Sequence, residues 1–178
     1  MTNKLLFFVL LALCFSGCDM LETHPYDVHI TGERELNNKN IQLIENKMQG
    51  KKTIRFAMIS DTQRWYNSTE DVVKALNARG DIDFVIHGGD QSDFGVTKEF
   101  IWMRDIFNKF QMPYVCLLGN HDCLGTGEDA YRAIYGDPNF AFTAGNVRFI
   151  CLNTNAMEYD LSLIHISKPT RPEPISYA

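Results

Sequence analysis

The sequence predicts an α/β fold in which helices cover a parallel sheet. Three observations carry this expectation. Short apolar runs at residues 54–60, 82–87 and 113–118 alternate with helical patterns at 68–79 and 97–110. The runs are nearly continuous in apolar residues, as in strands buried on both faces of a parallel sheet. Each run ends in a cluster of polar, chemistry-bearing side chains, and in an open parallel sheet such ends converge on one edge.

Taken in chain order, residues 1–17 stand apart from the fold. A single positive charge at Lys4, the apolar run LLFFVLLALCFSG and small residues before Cys18 describe a secretory signal, too short for a comfortable membrane span. Ser16-Gly17-Cys18 resembles the lipobox of bacterial lipoproteins. That implies a lipidated Cys18 and a secreted protein anchored to a bacterial membrane, periplasmic or at the cell surface. An ordinary signal peptide with an incidental cysteine is the alternative. Residues 18–52 read as a tether, then a short strand at 26–30 and an amphipathic helix at 33–48 whose apolar residues include Leu36, Ile44 and Met48.

The alternation begins at the strand 54–60 (IRFAMIS). The helix at 68–79 carries a capping-box pattern in Ser68 and Asp71, and Gly80 ends it. The strand at 82–87 follows, then the helix at 97–110, which sets Phe100, Met103, Phe107 and Phe110 on one core-facing side. After the strand at 113–118, a short helix at 128–135 stops at Gly136-Asp137-Pro138. Residues 140–143 and 147–153 form a hairpin around Ala144-Gly145-Asn146.

At 178 residues, with 45% hydrophobic side chains, the chain holds one domain with ample core material. A net charge of -5 argues against a nucleic-acid backbone as the main partner. Five cysteines are present; beyond Cys14 and Cys18 they leave Cys116, Cys123 and Cys151, with no CxxC spacing. Neither a disulfide framework nor a structural zinc site is expected from them.

Strand 54–60 ends in Ser60-Asp61-Thr62-Gln63, strand 82–87 in Gly88-Gly89-Asp90-Gln91-Ser92-Asp93, and strand 113–118 in Gly119-Asn120-His121-Asp122. One such cluster is an ordinary turn; three at equivalent positions are a site. In their order and spacing they resemble the calcineurin-like metallophosphoesterases over about residues 54–160, with signature blocks Asp-x-His, Gly-Asp and Gly-Asn-His-Asp/Glu. The resemblance implies an α/β/β/α sandwich, of which this chain would hold roughly the first half, in a partial domain at 53–160. It implies two divalent metal ions, manganese, iron or zinc. Asp90 would bridge both, Asp61 would bind the first and Asn120 the second, and a metal-bound hydroxide would attack phosphorus in line. His121 would protonate the leaving oxygen or hold the phosphate, with Asp122 orienting the imidazole; a third ligand or a loop residue is the plainer reading of His121. The implied activity is hydrolysis of a phosphate mono- or diester on a small-molecule or macromolecular substrate.

The chain departs from that pattern at Gln63, which stands where the signature has histidine. An amide oxygen is a weaker ligand than imidazole for zinc or iron. Gln63 either coordinates or hydrogen-bonds a metal-bound water. The departure keeps a second reading open, a non-catalytic surface lipoprotein that binds through a degenerate phosphoesterase scaffold. Asp93 matches an acidic residue often found after Gly-Asp in the family, and turn capping explains it equally well. His87 is expected to be a buried, hydrogen-bonded imidazole. Arg64, Trp65 and Tyr66 either line a substrate mouth or pack as an ordinary loop. Residues 161–178 (LSLIHISKPTRPEPISYA) resemble a translated sequencing adapter, so His165 is not assigned as a ligand and this stretch is expected to be non-native. On that expectation the chain is an inactive fragment of a longer enzyme.

Overall fold

The computed structural model describes residues 24–155. Cys18 and the anticipated signal peptide lie outside the described residues, as do His165 and the anticipated non-native tail. Helix α1 (Leu36–Met48) leads to strand β1 (Phe56–Ile59), helix α2 (Tyr66–Arg79), strand β2 (Phe84–His87), helix α3 (Thr97–Phe107) and strand β3 (Tyr114–Cys116). A 3-10 turn (His121–Cys123), helix α4 (Gly127–Tyr135) and strands β4 (Phe140–Ala144) and β5 (Val147–Cys151) follow.

β1, β2 and β3 form a parallel sheet in that order, with Phe56 opposite Phe84 and Val85 opposite Tyr114. β4 and β5 make a separate antiparallel pair. All four residues of β2 are buried, which explains why the central strand shows no alternation. Its residues divide between two cores. Phe84 and Ile86 pack with Ile44 and Met48 of α1 and with Phe142 of β4. Val85 packs with Phe100, Met103 and Phe107 of α3 and with Tyr131 of α4. Fully burying a Phe-sized side chain contributes roughly 1.5–3 kcal/mol. Phe84, Phe100, Phe107 and Phe142 are all completely enclosed. The β4–β5 pair meets the parallel sheet through aromatic contacts: Phe84 against Phe142 and Phe149, and Phe56 against Phe149. This helix–sheet–sheet layering fits the expected α/β sandwich, present in part.

The two edges of the parallel sheet differ. On β3, the buried Asn37 of α1 acts as a substitute strand: its Oδ1 accepts the Cys116 N–H at 2.9 Å and its Nδ2 donates to the Cys116 carbonyl at 2.8 Å. The Tyr131 hydroxyl donates to the same carbonyl at 2.6 Å. Backbone groups taken this way at Cys116 are withheld from pairing with another chain. β1 is the other edge, and Phe56 and Met58 on it are exposed.

Two local expectations are corrected. Residues 26–30 do not form a strand; side chains hold this segment instead. Thr97 Oγ1 donates to the Asp27 carbonyl at 2.9 Å and Thr126 Oγ1 to the Tyr26 carbonyl at 2.6 Å. Helix α2 begins at Tyr66, and no Ser68–Asp71 capping box forms. The Trp65 N–H already donates to the Thr62 carbonyl and the Thr69 N–H to the Trp65 carbonyl, which winds the chain before Ser68 is reached. Cys116, Cys123 and Cys151 are free thiols. Among the described residues, no helix is long and apolar enough to cross a membrane.

Candidate active site

The loops after β1, β2 and β3 meet beyond the carboxyl ends of the strands. The Asp61 N–H donates to the Gly89 carbonyl at 3.1 Å and the Gln63 N–H to the Asp90 carbonyl at 3.2 Å, which joins the first loop to the second. The His121 N–H donates to Asp90 Oδ1 at 2.9 Å and joins the second to the third. Asp61, Gln63, Asp90, Asn120 and His121 thus belong to three loops in direct contact.

Glycine makes this contact possible. A Cβ on Gly119 would lie 2.1 Å from Asp90 Oδ1 and 2.2 Å from the Asp90 nitrogen, and one on Gly89 would lie 2.7 Å from the Gly119 backbone. The Gly-Asp and Gly-Asn-His blocks therefore require their glycines for backbone-to-backbone packing. Asp61 and Asp90 both sit in the left-handed region, with φ of 56° and 62°. Among L-residues Asp tolerates this conformation better than most, and residues held there concentrate at functional sites.

Asp122 requires a correction. Its carboxylate is fully buried and does not orient the His121 ring. Oδ2 accepts the N–H groups of Asp90 at 2.9 Å and Gly119 at 3.0 Å, and Oδ1 those of Gln91 at 3.0 Å and Ser92 at 2.8 Å. It ties the second loop to the third. Burial outweighs the pull of the N–H donors and leaves this carboxyl raised to about 6, so the ionised form predominates at neutral pH. The His121 ring is held by Asp93: Nδ1 lies 3.0 Å from the Asp93 carbonyl oxygen and 3.8 Å from its Oδ1. Nδ1 therefore carries a proton and donates, which leaves Nε2 available to a ligand. The carbonyl bond raises the imidazole above its usual value; burial opposes this, and the Asp90 and Asp93 carboxylates add to it.

His87 lies beneath this surface as a core group. Its Nδ1 accepts the Gly89 N–H at 3.2 Å, so Nε2 carries the proton and donates to Thr62 Oγ1 at 2.9 Å. Burial holds the ring neutral and pushes it down to about 3. Trp65 is exposed, and with Ile59, Asp61, Thr62 and Val72 it lines a cavity of about 310 Å³.

Among the described residues, no group of three or more His, Cys, Asp or Glu side chains is placed to hold a metal ion. The gathered donors are two carboxylates, Asp61 and Asp90, with the amide side chains of Gln63 and Asn120. Ser60 Oγ donates to Asp61 Oδ2 at 2.5 Å and the His121 N–H occupies Asp90 Oδ1. Gln63 Oε1 is buried with no hydrogen-bond partner among the described residues. An all-oxygen donor set of this kind fits a hard divalent cation better than a soft one.

A parallel sheet that collects carboxylate, amide and imidazole groups beyond its strand ends presents a candidate catalytic site. The family model of the calcineurin-like phosphoesterases matches residues 54–171, well over half of the chain. The chain belongs to that family, whose general activity is phosphoester hydrolysis. A search of curated proteins found no match.

Proposed function

We propose that this protein hydrolyses a phosphate mono- or diester with the help of two divalent metal ions, manganese being the best match to its oxygen donors. The observation that carries the reading is the junction of three loops at Asp90, where His121 and Gln63 are both bonded to the residue assigned as the bridging ligand. Asp61, Asp90, Asn120 and Gln63 Oε1 would hold the ions. When bound, such ions stabilise the attacking and leaving oxygens of an in-line displacement. The protein's own contribution is to orient and to move a proton. His121 presents Nε2 to the leaving oxygen while the Asp93 carbonyl fixes the ring through Nδ1, the geometry a general acid requires.

The signal-like segment and Cys18 support a membrane-held protein with an N-terminal lipid, working on phosphorylated small or macromolecular substrates outside the cytoplasm. Fatty-acid labelling that persists in a Cys18→Ser variant would refute the anchor.

The test of activity is hydrolysis of an aryl phosphate in manganese-supplemented buffer, by the chain and by any longer protein that contains it. We expect Asp90→Asn and His121→Ala to lower turnover at least a hundredfold. Turnover unchanged in both variants would exclude this site. The second reading, a binding module without catalysis, draws on Gln63, which stands where the family signature has histidine. Metal binding without turnover would favour it.

A further inference from the structure

We propose that Arg64 is a phosphate-binding residue of this site, held in place by Asp93. The inference deepens the phosphoesterase reading and rests on it. Arg64 follows Gln63, in the first loop, and its backbone takes a left-handed conformation with φ of 67°. For a long side chain without an Asn- or Asp-like local hydrogen bond this conformation is uncommon and strained. What opposes that strain is one contact: Nη2 donates to Asp93 Oδ1 at 2.7 Å.

The two partners differ in a way that a simple loop staple would not need. The Asp93 side chain is only 4% exposed, whereas that of Arg64 is 68% exposed. The guanidinium is gripped from beneath by one nitrogen, and Asp93 Oδ1 is its only hydrogen-bond partner among the described residues. A guanidinium has five N–H donors in a fixed fork that suits two phosphate oxygens.

Its position matters as much as its orientation. Asp93 Oδ1, which holds Arg64, also lies 3.8 Å from His121 Nδ1, and the Asp93 carbonyl oxygen lies 3.0 Å from the same ring nitrogen. One buried residue thus brings the guanidinium and the imidazole to the same carboxylate oxygen. His121 serves the leaving oxygen; Arg64 takes the non-bridging oxygens, whose charge persists through the displacement. Arg64 supplies a fixed cation on the loop that carries Asp61 and Gln63. The ligand is a phosphate group carrying at least one ionised non-bridging oxygen.

The experiment compares the wild-type chain with Arg64→Gln and Arg64→Lys, using Lys74→Gln as a distant control of equal charge change. Inorganic phosphate is titrated in manganese-containing buffer by calorimetry and by its effect on the thermal midpoint, and aryl phosphate kinetics are recorded in parallel. We expect Arg64→Gln to weaken phosphate binding about tenfold or more, a factor that corresponds to about 1.4 kcal/mol. Arg64→Lys should fall between and Lys74→Gln should match the wild type. KM should rise more than kcat falls in Arg64→Gln. If the arginine only ties two loops together, the midpoint without phosphate drops and the phosphate-dependent shift survives; that result overturns the proposal. So does a wild-type chain that shows no phosphate binding. Phosphate binding through Arg64 without ester turnover would sink the proposed activity and leave this inference standing. Turnover untouched by Arg64→Gln would do the reverse.

Discussion

Replacing Asp122 with asparagine keeps the volume of the side chain and exchanges one carboxylate oxygen for an NH2 group. In the native protein both oxygens are occupied, Oδ2 by the N–H groups of Asp90 and Gly119 and Oδ1 by those of Gln91 and Ser92. Whichever way the amide turns, two backbone donors face another donor. The side chain is fully buried, so water does not replace the lost acceptor. A buried donor without a partner costs about 1–3 kcal/mol, so two cost about 2–6 kcal/mol, and removing a buried charge whose carboxyl is raised to about 6 offsets part of this loss. The measurement is urea unfolding with linear extrapolation, run near pH 8, well above the carboxyl's value of about 6, so that the native group is ionised. The loops this residue joins carry Asp90 and His121, so ester hydrolysis should fall with stability. A loss below about 0.5 kcal/mol, the range of ordinary surface changes, would refute the staple.

Gly119→Ala should abolish phosphoesterase activity, because its Cβ would lie 2.1 Å from Asp90 Oδ1; kinetics within a factor of two of wild type would contradict the packing. His87 makes the fold acid-sensitive. The unfolded chain takes a proton below its ordinary 6.5, while the buried ring resists until about 3. The His87 contribution should fall by about 1.4 kcal/mol per pH unit across that window and be unaffected above it, while the raised Asp122 carboxyl works in the opposite direction below about pH 6. His87→Gln should flatten this dependence in paired urea titrations, and identical slopes would discount the burial effect. Asn37→Ala should cost about 1–3 kcal/mol by freeing the Cys116 N–H on the edge of β3. It should also promote self-association, read by light scattering; a monodisperse variant of native stability would show that α1 covers the edge without Asn37.

The sequence alone determined the order of strands and helices, because that order is written in the spacing of apolar residues. The same spacing implied a parallel sheet, and with it the meeting of Asp61, Asp90 and Asn120 at one edge. Glycine at 89 and 119 was legible as part of a motif; the backbone approach that requires it was not. What the tertiary structure decided are matters of direction. The family resemblance implied Asp122 as the imidazole's partner, yet the 3-10 turn sends it inward to four backbone N–H groups. Asp93 lies 28 residues before His121 and takes the role instead. The strand expected at 26–30 failed for a related reason: strand-like composition does not supply a pairing neighbour. Helix α2 starts at Tyr66 because two backbone hydrogen bonds wind the loop before its polar capping residues occur. Local periodicity records which residues are apolar and how often. Which oxygen meets which N–H across two loops is fixed only when the sheet sets those loops together.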